Sequence, residues 1–181
     1  MSILERMNLT KKEVEEVEKK LSYERQIERY CMIRQWCRGK ILDFGCGCGY
    51  GTYLVSKNPD VKFIRGYDIS LEAINWAEKN FCGDKIEYKS VLEIEDFDML
   101  LAMDVIEHIE DKSVIPNIAN QINTKEIIVS YPSKKTTHYN KFHYHDYDTQ
   151  EIINLFKGFK LLKEINFHEE SNVLIFIKDF I

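Results

Sequence analysis

No stretch of this 181-residue chain has the ~18 consecutive apolar residues that a membrane-crossing helix needs. The opening, MSILERMNLTKKEVEEVEKK, contains no hydrophobic signal core and is too acidic for a transit peptide. There is no CxxC, and the five cysteines (Cys31, Cys37, Cys46, Cys48 and Cys82) are odd in number. A disulfide framework is therefore not expected, and a reducing, cytoplasmic setting is. Positive charge is not in excess: the net charge of −5 and pI of about 5.6 argue against nucleic acid as a partner. No internal repeat and no low-complexity linker interrupts the chain. Two common nucleotide signatures are also missing. GxGxxG would require glycine at 45, 47 and 50 or at 47, 49 and 52, but Tyr50 and Thr52 stand there. The GK[ST] that closes a phosphate loop does not follow either.

What is present is a globular composition, 44% hydrophobic and 30% charged, of ordinary single-domain length. The chain is organised around ILDFGCGCGYGTYLV, residues 41–55. It reads as a buried strand (Ile41–Phe44), a glycine-rich turn (Gly45–Gly51) and the start of a helix. Gly45, Gly47 and Gly49 alternate, which permits positive φ and close approach of backbone to a ligand. A helix start adds unpaired N–H groups. Strand, turn and helix in this order form a nucleotide pocket at the carboxyl end of a parallel sheet. Asp43, two residues before the first glycine, would repel a pyrophosphate and suit a cation.

DFGCGCG resembles the acidic-x-Gly-x-Gly-x-Gly loop of class I S-adenosylmethionine-dependent methyltransferases, whose cofactor carries an ammonium and a sulfonium and no phosphate. A glycine turn in another α/β protein remains the alternative at this point. The resemblance implies an α/β, Rossmann-like, seven-stranded, mostly parallel sheet with a C-terminal antiparallel hairpin and helices on both faces. It also implies S-adenosyl-L-methionine as cofactor. Residues 40–181 would be the cofactor-binding domain, and residues 1–39 a helical segment packed on it.

The rest of the chain fits that frame. Thr10 and Glu13 make a capping box for a charged helix to about Lys20. A second helical segment runs from Ser22 to a stop at Gly39, with Tyr23, Ile27, Tyr30, Ile33 or Arg34, and Cys37 on its buried face. It covers the sheet or, alternatively, forms a flap that brings Tyr23 or Tyr30 near a substrate. The strand Lys62–Tyr67 ends in Asp68, at the ~20-residue spacing expected for an acid that accepts the ribose hydroxyls; Asp68 or Ser70 could instead only cap the next helix. In the methyltransferase family the acid at this position does bind the ribose. That helix, LEAINWAEKNF, would bury Ile74, Ala77 and Phe81.

KIEYKS is a third strand. Many relatives place an acid after it for the adenine amino group, whereas here SVLEIED follows. Val91 and Leu92 are assigned to adenine, with Ser90 as a side-chain contact; Ile69 and Met103 complete the cofactor set of Asp43, Gly45, Cys46, Gly47, Gly49 and Asp68. The link to the fourth strand, Asp98–Ala102, is short for a helical crossover and is expected to be extended or a single turn.

DVIEHIED resembles the segment after strand four in small-molecule methyltransferases, and lacks the [ND]PP[YF] of enzymes acting on DNA bases or protein glutamine. It nominates Asp104 and His108 beside the acceptor, with a helix cap and a structural histidine as the alternatives. YNKFHYHDYDTQEIINLFKGF resembles the NPFHxxEx segment of bacterial methyltransferases tied to cell-surface sugar pathways, with Lys141 in place of proline and Asp146 in place of glutamate. Three readings of its histidines stay open: His143 as a base oriented by Asp146 or Asp148, a metal held by the HxH pair (His143, His145) and an aspartate, or a polar loop with His138 among tyrosines. No metal ligand set is assigned. The implied reaction is methylation of a small-molecule hydroxyl, with a sugar as the acceptor the last resemblance points to and His143, His108 and Asp104 as catalytic candidates. Rival readings are a non-catalytic or partner-dependent cofactor-binding subunit, a nucleic-acid methyltransferase and an NAD-dependent oxidoreductase.

Overall fold

A computed structural model describes residues 9–20, 25–168 and 170–179. The seven strands make a mixed sheet in the order β3-β2-β1-β4-β5-β7-β6. The chain divides into two compact units, the first ending at Glu93 and the second beginning at Ile94. The N-terminal helices fall within the first of these.

The first unit opens with α1 (Lys11–Lys20). The Thr10 N–H donates to the Glu13 carboxylate at 2.8 Å and the Glu13 N–H donates back to Thr10 Oγ1 at 3.4 Å, the reciprocal pairing of a capping box. Helix α2 (Arg25–Ile33) buries Ile27, Tyr30 and Ile33, the face its periodicity predicts; Tyr23 lies outside the described residues. Gly39 does not end this segment. A 3₁₀ turn, Arg34–Trp36, already closes it, and Gly39 starts strand β1 (Gly39–Phe44) at φ 70°.

Strand β1 pairs in parallel with β2 (Val61–Tyr67), and β2 with β3 (Ile86–Lys89). Between β1 and β2 runs α3 (Tyr50–Ser56); between β2 and β3 runs α4 (Leu71–Asn80). Ser70 caps α4 through the Ala73 N–H, and Ile74, Ala77 and Phe81 are buried as expected. Residues 90–98 contain no helix, so the link beyond β3 is extended.

In the second unit β4 (Met99–Met103) and β5 (Glu126–Pro132) are parallel neighbours around α5 (Val114–Gln121). All five residues of β4 are buried, as in a strand covered on both faces. After α6 (Thr149–Leu155), β6 (Phe159–Phe167) and β7 (Ser171–Lys178) form the antiparallel pair, with β7 antiparallel to β5. β6 ends the sheet order, and its pattern is charged and half-exposed, with a register irregularity between Leu161 and Lys163, features that protect an edge from further pairing. Among the described residues no helix is long and apolar enough to cross a membrane.

Candidate active site

The glycine turn has the conformation that its sequence requires. Gly45, Gly47 and Gly49 all hold positive φ, at 77°, 55° and 85°. The Gly45 and Cys46 N–H groups both donate to the Tyr67 carbonyl, at 2.7 and 2.9 Å, which ties the turn to the end of β2. A side chain at Gly47 would meet nothing within 4 Å, so that face of the loop is open. Gly49 is the opposite case: an added Cβ would lie 2.6 Å from Ala77 Cβ and 2.8 Å from the Tyr88 hydroxyl. Tyr88 in turn donates toward the Gly49 carbonyl at 3.1 Å. Cys46 and Cys48 are buried small side chains in this loop, and neither is in a disulfide.

Asp68 lies at the loop and not in solvent. It is 3% exposed, and its two oxygens accept from the Gly47 N–H at 3.0 Å and the Ser70 N–H at 2.9 Å. Ser70 is the cap of α4, and Asp68 is the acid beside the glycines. Two exposed apolar side chains stand nearby in register. Tyr67 pairs with Lys89, and two residues beyond each come Ile69 and Val91, 80% and 70% exposed. Apolar side chains standing in water at adjacent strand ends suit a flat aromatic ligand. Ser90 and Leu92 are half-buried beside Val91; Met103, in the second unit, is buried at the end of β4.

Asp43 is fully buried beneath the turn. Its Oδ2 accepts from Thr52 Oγ1 at 2.6 Å, while Oδ1 has no hydrogen-bond partner. Burial pushes its pKa up to about 6, against the downward pull of the Thr52 and Tyr30 hydroxyls. Tyr30 is thus part of the support for this loop; its ring also lies where a Cβ on Gly51 would be.

The folded-state value is above the ordinary 3.8, so the folded protein binds this proton more tightly than the unfolded chain. The corresponding stability is present below pH ~4 and is lost as pH rises through about 6. Asp43→Asn should therefore melt higher than wild type at pH 7 and lose this part of the slope between pH ~4 and ~6. Thermal melts across that range check it; superimposable profiles for the two proteins would contradict the burial argument.

These observations fit S-adenosylmethionine. The open face at Gly47, the acid on its N–H, the paired apolar side chains and a buried carboxylate oxygen lacking a donor are the complement of a cationic, phosphate-free nucleoside. Residues 38–166 match a family described as a methyltransferase domain. This chain belongs to the methyltransferase-domain family. Its cofactor is S-adenosylmethionine.

Among similar proteins, the phosphoethanolamine N-methyltransferase of Triticum aestivum is 31% identical over 86 residues, 42% of this methyltransferase and 16% of that one. The phosphoethanolamine N-methyltransferase 3 of Arabidopsis thaliana is 33% identical over 86 residues, 42% and 17%. This methyltransferase therefore spans about a sixth of the length of these relatives. The magnesium protoporphyrin IX methyltransferase of Synechocystis PCC 6803, solved with bound SAH, superposes with a TM-score of 0.69 at 16% identity, covering 84% of this chain and 83% of that one. The N-methyltransferase NodS of Bradyrhizobium japonicum WM9 gives 0.67 at 14% identity, covering 85% and 96%. At such identities these two establish the shared fold.

The second unit gathers the remaining candidates. Asp104 follows β4 at φ 52°, a strained conformation for aspartate; its N–H donates to Ser130 Oγ and its Oδ1 accepts from the same hydroxyl, both at 2.8 Å. The 3₁₀ turn Ile106–His108 then places Glu107 inward and His108 beside residues 136–146. His108 and His143 meet edge to face, with ring centroids 4.4 Å apart. That loop is stitched to the turn: the Tyr144 N–H donates to the Glu107 carbonyl and the His145 Nε2 to the Glu110 carbonyl, each at 2.8 Å.

His145 Nε2 is engaged by that carbonyl, and among the described residues the histidine and carboxylate donors that lie together do not include His145. Asp148 is a helix cap, in a capping box with Glu151, so it does not orient His143. Asp146 is bound to the Thr136 and Thr137 N–H groups and to the Thr137 hydroxyl, which hold its carboxyl down to about 2. Its link to His143 runs through Thr136 Oγ1, 3.4 Å from Asp146 Oδ1 and 2.6 Å from His143 Nδ1.

Within the second unit a cavity of about 620 Å³ is lined by Lys134, Lys135, Tyr144, Tyr147 and Asp148 among others. The Tyr147 hydroxyl is buried with no hydrogen-bond partner, and burial together with the Glu107 charge pushes its pKa up to about 12. Sequence reasoning missed Glu107, Thr136 and Tyr147. Glu107 sits in the acidic run EHIED, which reads as a solvated surface.

Proposed function

We propose that this methyltransferase acts on a hydroxyl group of a small molecule. When bound, S-adenosylmethionine supplies a methyl group already activated on a sulfonium. The first unit holds that donor: Asp68 accepts from the ribose hydroxyls, Ile69, Val91 and Leu92 flank the adenine, and Asp43 places a negative charge beneath the glycine loop. The second unit holds the acceptor. Its cavity is in the ~300–1,000 Å³ range of small-molecule sites, and the Tyr147 phenol is a donor for it. The hydroxyl loses its proton through His108 and His143, and Asp104 fixes the end of β4 through Ser130.

The observation that carries this reading is the His108–His143 contact, two ring systems brought together from positions 35 residues apart. His143 belongs to, and His108 lies beside, a loop whose polar aromatic content suits substrate contact. The test is an acceptor screen with labelled methyl donor, set out as sugars and other alcohols against phosphoethanolamine and related amines. Label in an O-methyl product supports the proposal; label confined to amine products overturns it. Binding of the cofactor with no transfer to any acceptor would favour the subunit reading instead.

A further inference from the structure

We propose that the acceptor is a small hydroxyl compound carrying a phosphate group, and that Lys134, Lys135 and the Tyr147 phenol hold that phosphate in the cavity of the second unit. The proposal rests on, and deepens, the reading of the second unit as the acceptor site.

Lys134 and Lys135 follow β5, and both border the cavity. In an extended strand consecutive side chains face opposite sides; here the chain bends at residues 133–134, and both residues come to one space. Neither ammonium has an ion-pair or hydrogen-bond partner among the described residues. Two such charges repel each other, and a doubly charged ligand relieves the repulsion.

Three carboxylates also border the cavity, and each is already engaged. Asp146 accepts from the Thr136 and Thr137 N–H groups and from the Thr137 hydroxyl. Asp148 accepts from the Glu151 N–H at 2.8 Å, and Glu151 accepts from the Asp148 N–H at 3.1 Å and pairs with Lys112 at 3.9 Å. None of the three turns to Lys134 or Lys135, so the two lysines are the charges left without a counterpart.

Tyr147 adds a neutral donor. It is 8% exposed, and its hydroxyl has no partner, so a ligand oxygen there would satisfy a buried group that the chain leaves unpaired. The Lys112 ammonium stands over its ring, 4.9 Å from the centroid. A phosphate monoester brings nearly two negative charges and three acceptor oxygens, one for each of these donors, whereas a carboxylate brings a single charge. Thr137 and Tyr144 border the same cavity, and their chain neighbours Thr136 and His143 are hydrogen-bonded to each other at 2.6 Å. The subsite therefore adjoins the histidine pair, and a phosphate seated in it leaves the hydroxyl end of the molecule for those rings.

The experiment titrates inorganic phosphate into the full chain saturated with S-adenosylhomocysteine, at constant ionic strength, and follows the amide NMR shifts. One saturable site is expected, with acetate binding more weakly. Substituting both lysines, Lys134→Ala with Lys135→Ala, should weaken phosphate at least about 10-fold, and Tyr147→Phe about 3- to 10-fold. Lys141→Ala, in the same loop but outside the cavity lining, should leave it unchanged. Calorimetry should give one S-adenosylhomocysteine affinity for all these proteins, which shows that each is folded. No saturable phosphate site, acetate binding as tight as phosphate, or affinity indifferent to the two lysines overturns the proposal. A phosphate site with the expected variants, but methyl label confined to amines, leaves the subsite standing and removes the hydroxyl reading. O-methyl label on uncharged alcohols with no phosphate site does the reverse.

Discussion

Gly49→Ala should cost this protein about 2–5 kcal/mol of stability, a large share of the usual total of about 5–15 kcal/mol. Two effects add. A non-glycine residue at φ 85° pays roughly 1–2 kcal/mol against the left-handed backbone. The new Cβ would also sit 2.6 Å from Ala77 Cβ, in a buried helix face with no room to yield, and overpacking of that kind costs about 1–3 kcal/mol. Gly47→Ala is the control: its Cβ would meet nothing within 4 Å, so only the backbone term applies. Urea unfolding measures both. A Gly49→Ala midpoint close to that of Gly47→Ala would show that the Ala77 and Tyr88 contacts are not what restricts the position.

Asp68→Ala should weaken S-adenosylhomocysteine binding by roughly 10- to 100-fold, since hydrogen bonds to a charged group contribute about 1.5–3 kcal/mol. The same carboxylate holds the Gly47 and Ser70 N–H groups, so loosening of the loop adds to the loss of ligand contacts. Asp68→Asn separates the two. Its amide oxygen can still accept from one N–H, and it should fall between wild type and alanine. Calorimetric titration of the three proteins reads the order directly, and equal affinity across them would remove Asp68 from the cofactor site.

Local chemistry made much of the first unit legible from sequence. Three alternating glycines anticipate three positive φ angles, Ser70 anticipates a cap, and the spacing to Asp68 anticipates its place at the loop. The extended link after β3 follows from its length. Gly39 was misread because glycine marks a turn without saying which element it begins. In the second unit the sequence supplied His108, His143 and Asp104 but not their partners. Those partners arise from contacts between the turn at 106–108 and the loop at 136–146, and chain separation hides such pairings. HxH suggested a chelate on the assumption of an extended strand, whereas the loop turns His145 to the Glu110 carbonyl and leaves His143 to meet His108. Glu107 could not be singled out, since burial of a glutamate in a charged run is decided by tertiary packing alone.

The central claim is that the glycine loop and Asp68 of the first unit hold a phosphate-free cationic nucleoside. A crystal structure of the protein grown with S-adenosylhomocysteine tests it most directly. The account predicts ribose hydroxyls within hydrogen-bond distance of the Asp68 carboxylate and an adenine ring between Ile69 and Val91. A nucleoside bound elsewhere, out of reach of the Asp68 carboxylate, would contradict it.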